Sequence, residues 1–334
     1  MKLPGRTVRV EWARKDEFVS APVGAAGTVG IRATLDENAR PVDWNLEIWS
    51  QVHVRRPGNN DRGNFIAHDL MPGTKPEPPE LTDLPFHNGG GGTRNSQACY
   101  DLPRQEIVHN LVDGVPVRTS SLRSLGAYVN ILAIESFMDE LAEVAGEDSV
   151  DYRLSLTSDP RSRAVMEHAR AMASRIPEAP SGAGRARGFA FARYKNTAAY
   201  IAMVVEVEVE TEVRVTGVWA AVDAGLVVSP DGVRNQVEGG IVQSLSWTLK
   251  EQVRFEDGRI GSDSWDAYPI LRFSEVPPIE IELIENQDLP PLGVGEVSQG
   301  PTAAAVSNAV ARALGVRIRD LPLTRERIMG ALLQ

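Results

Sequence analysis

The sequence of 334 residues contains a single cysteine, Cys99. One thiol cannot form an internal disulfide, and it cannot supply the sets of cysteines that bind zinc or iron–sulfur clusters. We therefore expect no disulfide and no cysteine-bound cluster in this chain, and we expect Cys99 to be a free thiol at the surface.

Histidine is also scarce, and its placement argues against two kinds of catalytic site. The five histidines are spread along the chain, and none forms an HExxH motif or another paired-ligand spacing. The sequence also lacks the GxSxG motif that presents the nucleophilic serine of many hydrolases. These absences argue against a metal site built by this chain alone and against a self-contained hydrolytic triad.

The chain has no excess of positive charge and no long apolar run. Its net charge is −10 and its pI is about 5.2, whereas a general nucleic-acid binder needs a basic face. No run approaches the roughly 18 apolar residues of a membrane span, and the N-terminus lacks a hydrophobic signal core. We expect no nucleic-acid partner, no membrane span and a cytoplasmic location unless a partner exports the chain.

Several segments have the patterns of β-strands. The run TVRVEWA, residues 7–13, predicts a strand almost at the first residue, which suggests one piece of a larger assembly. Residues 27–54 predict two strands joined by a polar turn at DENARP. Residues 200–223 predict long strands, and the alternation of valine and glutamate over 204–210 predicts one apolar face and one solvated carboxylate face.

A long irregular segment, 56–98, is rich in proline, glycine and asparagine. Such segments in compact proteins are usually functional, interfacial or mobile. It contains the run HNGGGGTRN, residues 87–95, which lacks the Lys-Ser/Thr pair of a P-loop. Two interpretations stay open for this run: a loop that helps to bind phosphate, or a plain flexible loop.

Five segments are predicted to be helices. The strongest is 125–148, with apolar residues at three- and four-residue steps, and the last is expected to begin at the cap residue Thr324. The others are 160–175, 230–252 and 301–315. A hairpin with an Asp-Gly turn and the strand IEIELIE lie between them. Because strands and helices mix without clean βαβ alternation, we predict an α+β (mixed α/β) fold and no Rossmann sheet.

Three polar residues stand in apolar or glycine-rich surroundings, and each has an ordinary explanation beside a functional one. Glu296 in GVGEVSQG fits a surface turn, but a buried carboxylate without basic neighbours would have a raised pKa and could act as a base. Arg123 opens a helix, where it is either a surface residue or, with free amides, a holder of phosphate or an oxyanion. Gln236 lies on a helix beside Gly239 and Gly240, which allow close packing against another helix or a cofactor.

Four runs, taken in order, resemble one known family. They are RTSSLRSLGAYVNILAIESFMDELAEVAGED, AVDAGLVVSPDGVRNQVEGG, YPILRFSEVPPIEIELIE and GVGEVSQGPTAAAVSNAVARALG. They resemble the molybdopterin-binding subunit of xanthine dehydrogenase and aldehyde oxidase-family molybdenum hydroxylases, closest to the nicotinate dehydrogenase and isoquinoline 1-oxidoreductase branch. The resemblance implies an oxidoreductase that hydroxylates an N-heteroaromatic or aldehyde carbon using water.

The resemblance also implies roles for residues at the reacting centre. Glu296 matches the catalytic base of the family's GxGE motif, and Arg123 matches an arginine that orients substrate or stabilises developing negative charge. Leu125 stands where other members carry a substrate-stacking phenylalanine. Phe191 matches a second aromatic residue that flanks the substrate.

Cofactor contacts are implied for three further residues. Gln236 matches a glutamine that hydrogen-bonds the pterin, and Val294 and Gly295 fall in the backbone that lines the metal. No side chain of this chain is implied as a metal ligand. The implied cofactor is molybdenum-molybdopterin, alone or in its cytosine dinucleotide form, shared with a partner chain. Iron–sulfur clusters and any FAD or haem are expected only in partner subunits.

The resemblance reaches only the C-terminal half of the family's molybdopterin-binding subunit. We expect residues 1–180 to form a first part of the molybdopterin-binding region and residues 181–334 to form the C-terminal domain that carries the GVGE motif. The implied partners are a chain carrying the upstream half and a [2Fe-2S] subunit, with a flavin or cytochrome subunit as a further candidate. The alternative is a non-catalytic structural or assembly subunit with the same fold.

Overall fold

The computed structural model of the protein describes residues 4–54, 73, 82–113, 117–177 and 184–333. Most of the predicted irregular segment before residue 82 lies outside the described residues. Within them, strands and helices follow one another in mixed order, which confirms the predicted α+β (mixed α/β) fold class.

The first sheet contains the two strands predicted near the N-terminus. These strands, β1 (Gly27–Leu35) and β2 (Pro41–Ser50), pair antiparallel, and β3 (Gln105–Leu111) adds to β2 in parallel. The polar turn between β1 and β2 forms because the Asp36 carboxylate accepts hydrogen bonds from the backbone of Asn38 and Arg40. The prediction of two strands over 27–54 is therefore confirmed.

The second sheet has four strands in the order β4-β5-β6-β9. Its first three strands are antiparallel neighbours, and β9 lies parallel to β6. A small hairpin precedes β9, and its turn has the predicted Asp257-Gly258 pair, both with positive φ. The strands are β4 (Arg185–Arg193), β5 (Tyr200–Val209), β6 (Val213–Asp223), β7 (Phe255–Glu256), β8 (Arg259–Ile260) and β9 (Ile279–Leu283).

All five predicted helices are present, with ends that differ by a few residues. The described helices are α1 (Arg14–Ser20), α2 (Ala127–Ala145), α3 (Ser149–Ser155), α4 (Pro160–Ser174), α5 (Pro230–Leu249), α6 (Gln299–Leu314) and α7 (Arg325–Leu332). Helix α5 begins at a proline after its cap Ser229, and α6 ends at Gly315, whose φ is 70°. No described helix combines the length and the hydropathy that crossing a membrane demands.

The second sheet is buried on both faces, because a separate hydrophobic cluster packs against each face. Along β5, Ile201, Met203 and Val205 belong to one hydrophobic cluster, with residues of α5 and α6. The alternate residues Ala202 and Val204 belong to a second cluster, with residues of α2, α4 and the first sheet. Period-two alternation therefore sends successive side chains into two cores. Toward the end of β5 the valines stay buried while Glu206 and Glu208 are partly exposed, as the alternation predicted.

Two expectations from the sequence are wrong. Residues 7–13 are exposed and form no strand with any described residue. The apolar side chains of this run, Val8, Val10 and Trp12, are 59%, 80% and 52% exposed, so no burial of an apolar face stabilises a strand here. Cys99 is not a surface thiol: its Sγ contacts the Asn196 amide at 3.1 Å and the Arg193 carbonyl at 3.8 Å. Burial raises the pKa of this thiol to about 11.

Candidate active site

Glu296 lies in the loop between β9 and α6, with a side chain that is 33% exposed. Both carboxylate oxygens are held. Oε1 accepts a hydrogen bond from the backbone N–H of Ser124 at 2.8 Å, and Oε2 accepts one from the Tyr194 hydroxyl at 2.6 Å. The carboxylate therefore has a fixed orientation and one open side.

The turn before α2 brings Ser124 to Glu296. Ser124 has a φ of 81° and Leu125 a φ of 49°, so two consecutive side-chain-bearing residues adopt the left-handed region. Such conformations cost on the order of 1–3 kcal/mol each and cluster at functional sites. Gly126 allows the turn to pack closely against the glycine-rich run, because a Cβ there would collide with the Gly92 carbonyl oxygen. Arg123 is the first residue of this turn and does not open the helix itself.

Arg123 joins the turn to the Glu296 loop and to α5. Its Nε donates to the Gly295 carbonyl at 2.5 Å, and its Nη2 donates to the backbone and side-chain oxygens of Gln236 at 3.1 and 3.2 Å. These described partners are all neutral oxygens, so none of them neutralises the guanidinium. The structure thus brings together six of the seven predicted site residues: Arg123, Leu125, Gln236, Val294, Gly295 and Glu296.

Phe191 is the predicted residue that the structure does not bring to this group. It is only 2% exposed and belongs to the hydrophobic core, where its ring meets Tyr100 edge-on at 6.0 Å. Its backbone N–H donates to Glu135 Oε2 at 3.0 Å, and that carboxylate also pairs with the fully buried Arg153. The expectation that Phe191 flanks the substrate is therefore corrected, because β4 turns this side chain into the core.

The glycine-rich run is a packed structural element, so the flexible-loop interpretation is wrong. Residues 90–92 are buried. The N–H groups of residues 89–91 bind backbone carbonyls, and that of Gly92 binds Asp83 Oδ2 at 2.6 Å. Since these N–H groups are already engaged, the run does not offer the free amides that a phosphate cradle needs. The phosphate interpretation therefore fails as well.

The glycine-rich run positions Arg94 beside Tyr194 and Glu296. The sequence analysis did not single out Arg94. Its Nε donates to the carbonyls of Gly89 and Gly90, and its Nη1 donates to the Tyr194 hydroxyl at 2.7 Å. The same Nη1 lies 3.6 Å from Glu296 Oε2. Tyr194 was also missed. The only local hints were an arginine two residues after the last glycine of the run and an aromatic residue in RYKN.

The pKa of Glu296 is shifted in the direction opposite to the one expected from the sequence. Burial acts to raise it, but the hydrogen bonds from Tyr194 and Ser124 and the charges of Arg94 and Lys195 outweigh burial, so the pKa lies below its ordinary value. The raised pKa that we expected assumed no basic neighbours. Arg94 and Lys195 come from distant parts of the sequence and supply them.

A cavity of about 610 Å³ opens beside Arg123. Most of its wall is the outer face of α5, where Gly239 leaves open space. Gln243 lines the wall, and its Oε1 is buried without a hydrogen-bond partner among the described residues. Glu238 and Glu251 add two negative charges. The wall therefore combines amide, carboxylate and apolar groups, with the guanidinium of Arg123 at its edge.

This fold is shared with oxidoreductases of known structure. Quinoline 2-oxidoreductase from Pseudomonas putida superposes with a TM-score of 0.74 over 97% of this chain and 64% of that chain, at 14% identity. The aldehyde oxidoreductase of Desulfovibrio gigas gives the same TM-score over 97% of this chain and 51% of that chain, at 13% identity. At such identities the likeness shows the fold.

The sequence comparisons name the family. The family model for the molybdopterin cofactor-binding domain matches residues 106–277, slightly more than half of the chain. The chain belongs to this family. It is 37% identical to a nicotinate dehydrogenase subunit of Pseudomonas putida and 31% identical to the β-subunit of isoquinoline 1-oxidoreductase of Brevundimonas diminuta. These alignments cover 98% and 96% of this chain but only 28% and 38% of the two relatives.

Proposed function

We propose that this chain forms part of the molybdenum-molybdopterin site of an oxidoreductase that hydroxylates a carbon of an N-heteroaromatic compound or an aldehyde using water. The observation that carries the proposal is the turn of residues 123–124. Ser124 fixes a partly exposed, ionised carboxylate, and the neighbouring residue Arg123 lines a large cavity. A base and a cation held by one strained turn suit a reaction that moves a proton while negative charge develops.

The residues around the cavity fit a pterin. The edge of a pterin ring carries both donors and acceptors, and amide side chains offer both in return. Gln236 is exposed and hydrogen-bonds Arg123, which lines the cavity. Gln243 has a buried oxygen without a partner in the described part of the chain, and Gly239 leaves room for close approach. Gln236 and Gln243 would hold the pterin, with the backbone of Val294 and Gly295 nearby. Among the described residues, no cluster of His, Cys, Asp or Glu is placed to hold a metal ion, so the pterin itself would hold the molybdenum.

When bound, the molybdenum centre would accept the electrons of the oxidation and make the attacking water acidic. Glu296 would take up the proton. A carboxylate with a lowered pKa is a weak base, so it suits a proton donor that is itself acidic at neutral pH. Arg123 would stabilise the negative charge that develops on the ring nitrogen or the carbonyl oxygen. Leu125, partly buried beside it, would contact the substrate through its apolar side chain.

The chain spans only 28% and 38% of the length of its two relatives. We therefore include partner chains in the proposal. We propose a heteromeric complex in which another chain supplies the remaining wall of the cofactor site, a [2Fe-2S] subunit carries electrons away, and a flavin or cytochrome subunit passes them on. The cofactor is proposed as molybdopterin or its cytosine dinucleotide form, and the complex as cytoplasmic.

The proposal is tested by producing this chain alone and together with a chain that carries the upstream half. The co-produced complex should contain molybdenum and hydroxylate N-heteroaromatic compounds or aldehydes, and mass spectrometry of the released cofactor should identify its nucleotide form. The isolated chain should contain no molybdenum, because half of its cofactor site would face solvent. A metal-loaded complex that hydroxylates none of these substrates would favour a structural subunit instead.

A further inference from the structure

The hydroxyl of Tyr194 lies between two groups that leave it a single orientation. Arg94 Nη1 donates to this oxygen at 2.7 Å, and Glu296 Oε2 lies 2.6 Å from it. An arginine side chain is always a donor, and an ionised carboxylate only accepts. The one hydroxyl proton must therefore point at Glu296. The order of donation, from Arg94 to Tyr194 to Glu296, has no alternative while the carboxylate is ionised.

Arg94 itself is buried and depends on this arrangement. It is only 4% exposed, and Glu296 is its one ion-pair partner among the described residues. A buried cation without a counter-charge is strongly unfavourable. Arg94 therefore stabilises Glu296 in its ionised form, both directly at 3.6 Å and through the tyrosine hydroxyl.

Asn95 fastens together the two loops that carry Arg94 and Tyr194. Its side-chain amide donates to the Arg193 carbonyl and accepts from the Lys195 N–H, both at 2.8 Å. Lys195 has a φ of 54°, so the turn after β4 is tightly specified. The tyrosine is thereby held against the glycine-rich run with little freedom to rotate away.

We infer, resting on the proposed function, that Arg94 and Tyr194 are positioning residues that keep Glu296 ionised and direct the incoming proton to its Oε1. Oε2 already accepts the tyrosine proton and lies next to the guanidinium, so a second proton there would meet a positive charge. Among the described residues, Oε1 accepts a hydrogen bond only from the Ser124 amide, which leaves it a free lone pair. The charge of Lys195 also favours the ionised form of the carboxylate.

The test compares Tyr194→Phe, Arg94→Met and Arg94→Lys with a matched control. Tyr128→Phe also removes a buried hydroxyl, one that bonds Thr248 at 2.9 Å and does not touch Glu296. The first readout is the pH titration of the Glu296 carboxyl. It is monitored by infrared difference spectra between each protein and the same protein carrying Glu296→Gln. This readout needs no turnover. Tyr194→Phe and Arg94→Met should titrate at higher pH than the parent protein, Arg94→Lys should lie between, and Tyr128→Phe should match the parent.

The second readout is the pH profile of kcat/KM for each molybdenum-loaded complex. The acidic limb should move to higher pH in Tyr194→Phe, and each pH unit of movement lowers kcat/KM on the acidic side about tenfold. Unchanged carboxyl titration in both Tyr194→Phe and Arg94→Met would overturn the inference. If the titration moves but the parent complex hydroxylates nothing, the positioning pair stands and the proposed function fails.

Discussion

The backbone N–H of Ser124 donates to Glu296 Oε1 over 2.8 Å, although 172 positions separate the two residues. This contact requires Ser124 to adopt a φ of 81°, which is unfavourable for a residue with a side chain. The Ser124 Oγ is also buried, and no described residue hydrogen-bonds it. Neither feature stabilises the fold. The fold tolerates both because the turn aims an amide at the carboxylate and leaves Arg123 beside the cavity, which is the pattern expected where strain serves a site.

Glu296→Gln is the most direct test of the proposed base. Glutamine keeps the size of the side chain but cannot accept a proton near neutral pH, so turnover per molybdenum should fall by about 10²–10⁴-fold. Molybdenum content should stay unchanged, because Glu296 is not a cofactor contact. Turnover and metal content of the purified complex check both statements. Glu282→Gln, which alters a carboxylate paired with His168 at the surface, is the control.

The same substitution should also weaken the fold, because Arg94 would lose its counter-ion. Adding Arg94→Met to Glu296→Gln should recover part of the lost unfolding free energy, since it removes the uncompensated cation. Denaturant unfolding of the four proteins in this cycle measures the coupling. Strictly additive effects would show that Arg94 and Glu296 do not interact.

Replacing Arg123 or Gln236 by alanine should affect different properties of the complex: the rate per molybdenum for Arg123 and the molybdenum content for Gln236. Arg123→Ala should keep the molybdenum and lower the rate per molybdenum, since the guanidinium would act on developing charge. Gln236→Ala should lower molybdenum content with a milder loss per loaded site, since it would remove neutral hydrogen bonds of about 0.5–1.5 kcal/mol each. Metal analysis with single-site rates separates the two. An emptied site in Arg123→Ala beside a full, inactive Gln236→Ala would reverse the assignments.

The sequence predicted the secondary structure and most of the candidate site, and it failed where contacts between distant segments decide. Arg123, Gln236 and Glu296 could be singled out because each stands in unusual local surroundings. Arg94 and Tyr194 look ordinary locally, and their contact spans 100 positions. Predicting the direction of the pKa change at Glu296 required knowing those neighbours. Phe191 failed for a related reason: both faces of β4 enter a hydrophobic core, which depends on the elements that pack on the sheet.

His53 should make the stability of the protein depend on pH. It is 4% exposed, and its buried Nε2 has no hydrogen-bond partner among the residues that the structure describes. Burial lowers its pKa to about 4, helped by the nearby His109 and Arg94 and opposed by Asp83. Between about pH 6.5 and 4 the unfolded chain binds a proton here and the folded chain does not, so acidification favours unfolding by up to about 3 kcal/mol.

Denaturant unfolding of the parent protein and of His53→Gln between pH 7 and 4.5 checks this prediction. The parent should lose more unfolding free energy on acidification than the variant, because glutamine does not titrate. His87→Gln changes an exposed histidine and should behave like the parent. Equal losses in the parent and His53→Gln would show that His53 is not held neutral by burial.

The two adjacent glycines of α5 differ in their surroundings: Gly240 packs against another element, whereas Gly239 faces the cavity. A Cβ on Gly240 would collide with Ser298 Oγ, so this glycine allows α5 to pack against the start of α6. A Cβ on Gly239 would meet no atom within 4 Å, and Gly239 lines the cavity. Gly239→Ala should therefore raise the unfolding free energy of the cofactor-free protein by up to about 1 kcal/mol, because alanine favours a helix.

If the pterin lies against α5, the same methyl group should obstruct it. We expect Gly239→Ala to lower the molybdenum content of the co-produced complex while stabilising the chain without cofactor, two effects of opposite sign. Gly330→Ala is the matched control, since it places a methyl group in open space on α7, away from the cavity. It should stabilise the chain and leave molybdenum content unchanged. Equal molybdenum content in both variants would show that the cofactor does not approach α5 at Gly239, and would leave that glycine without a reason in the proposed site.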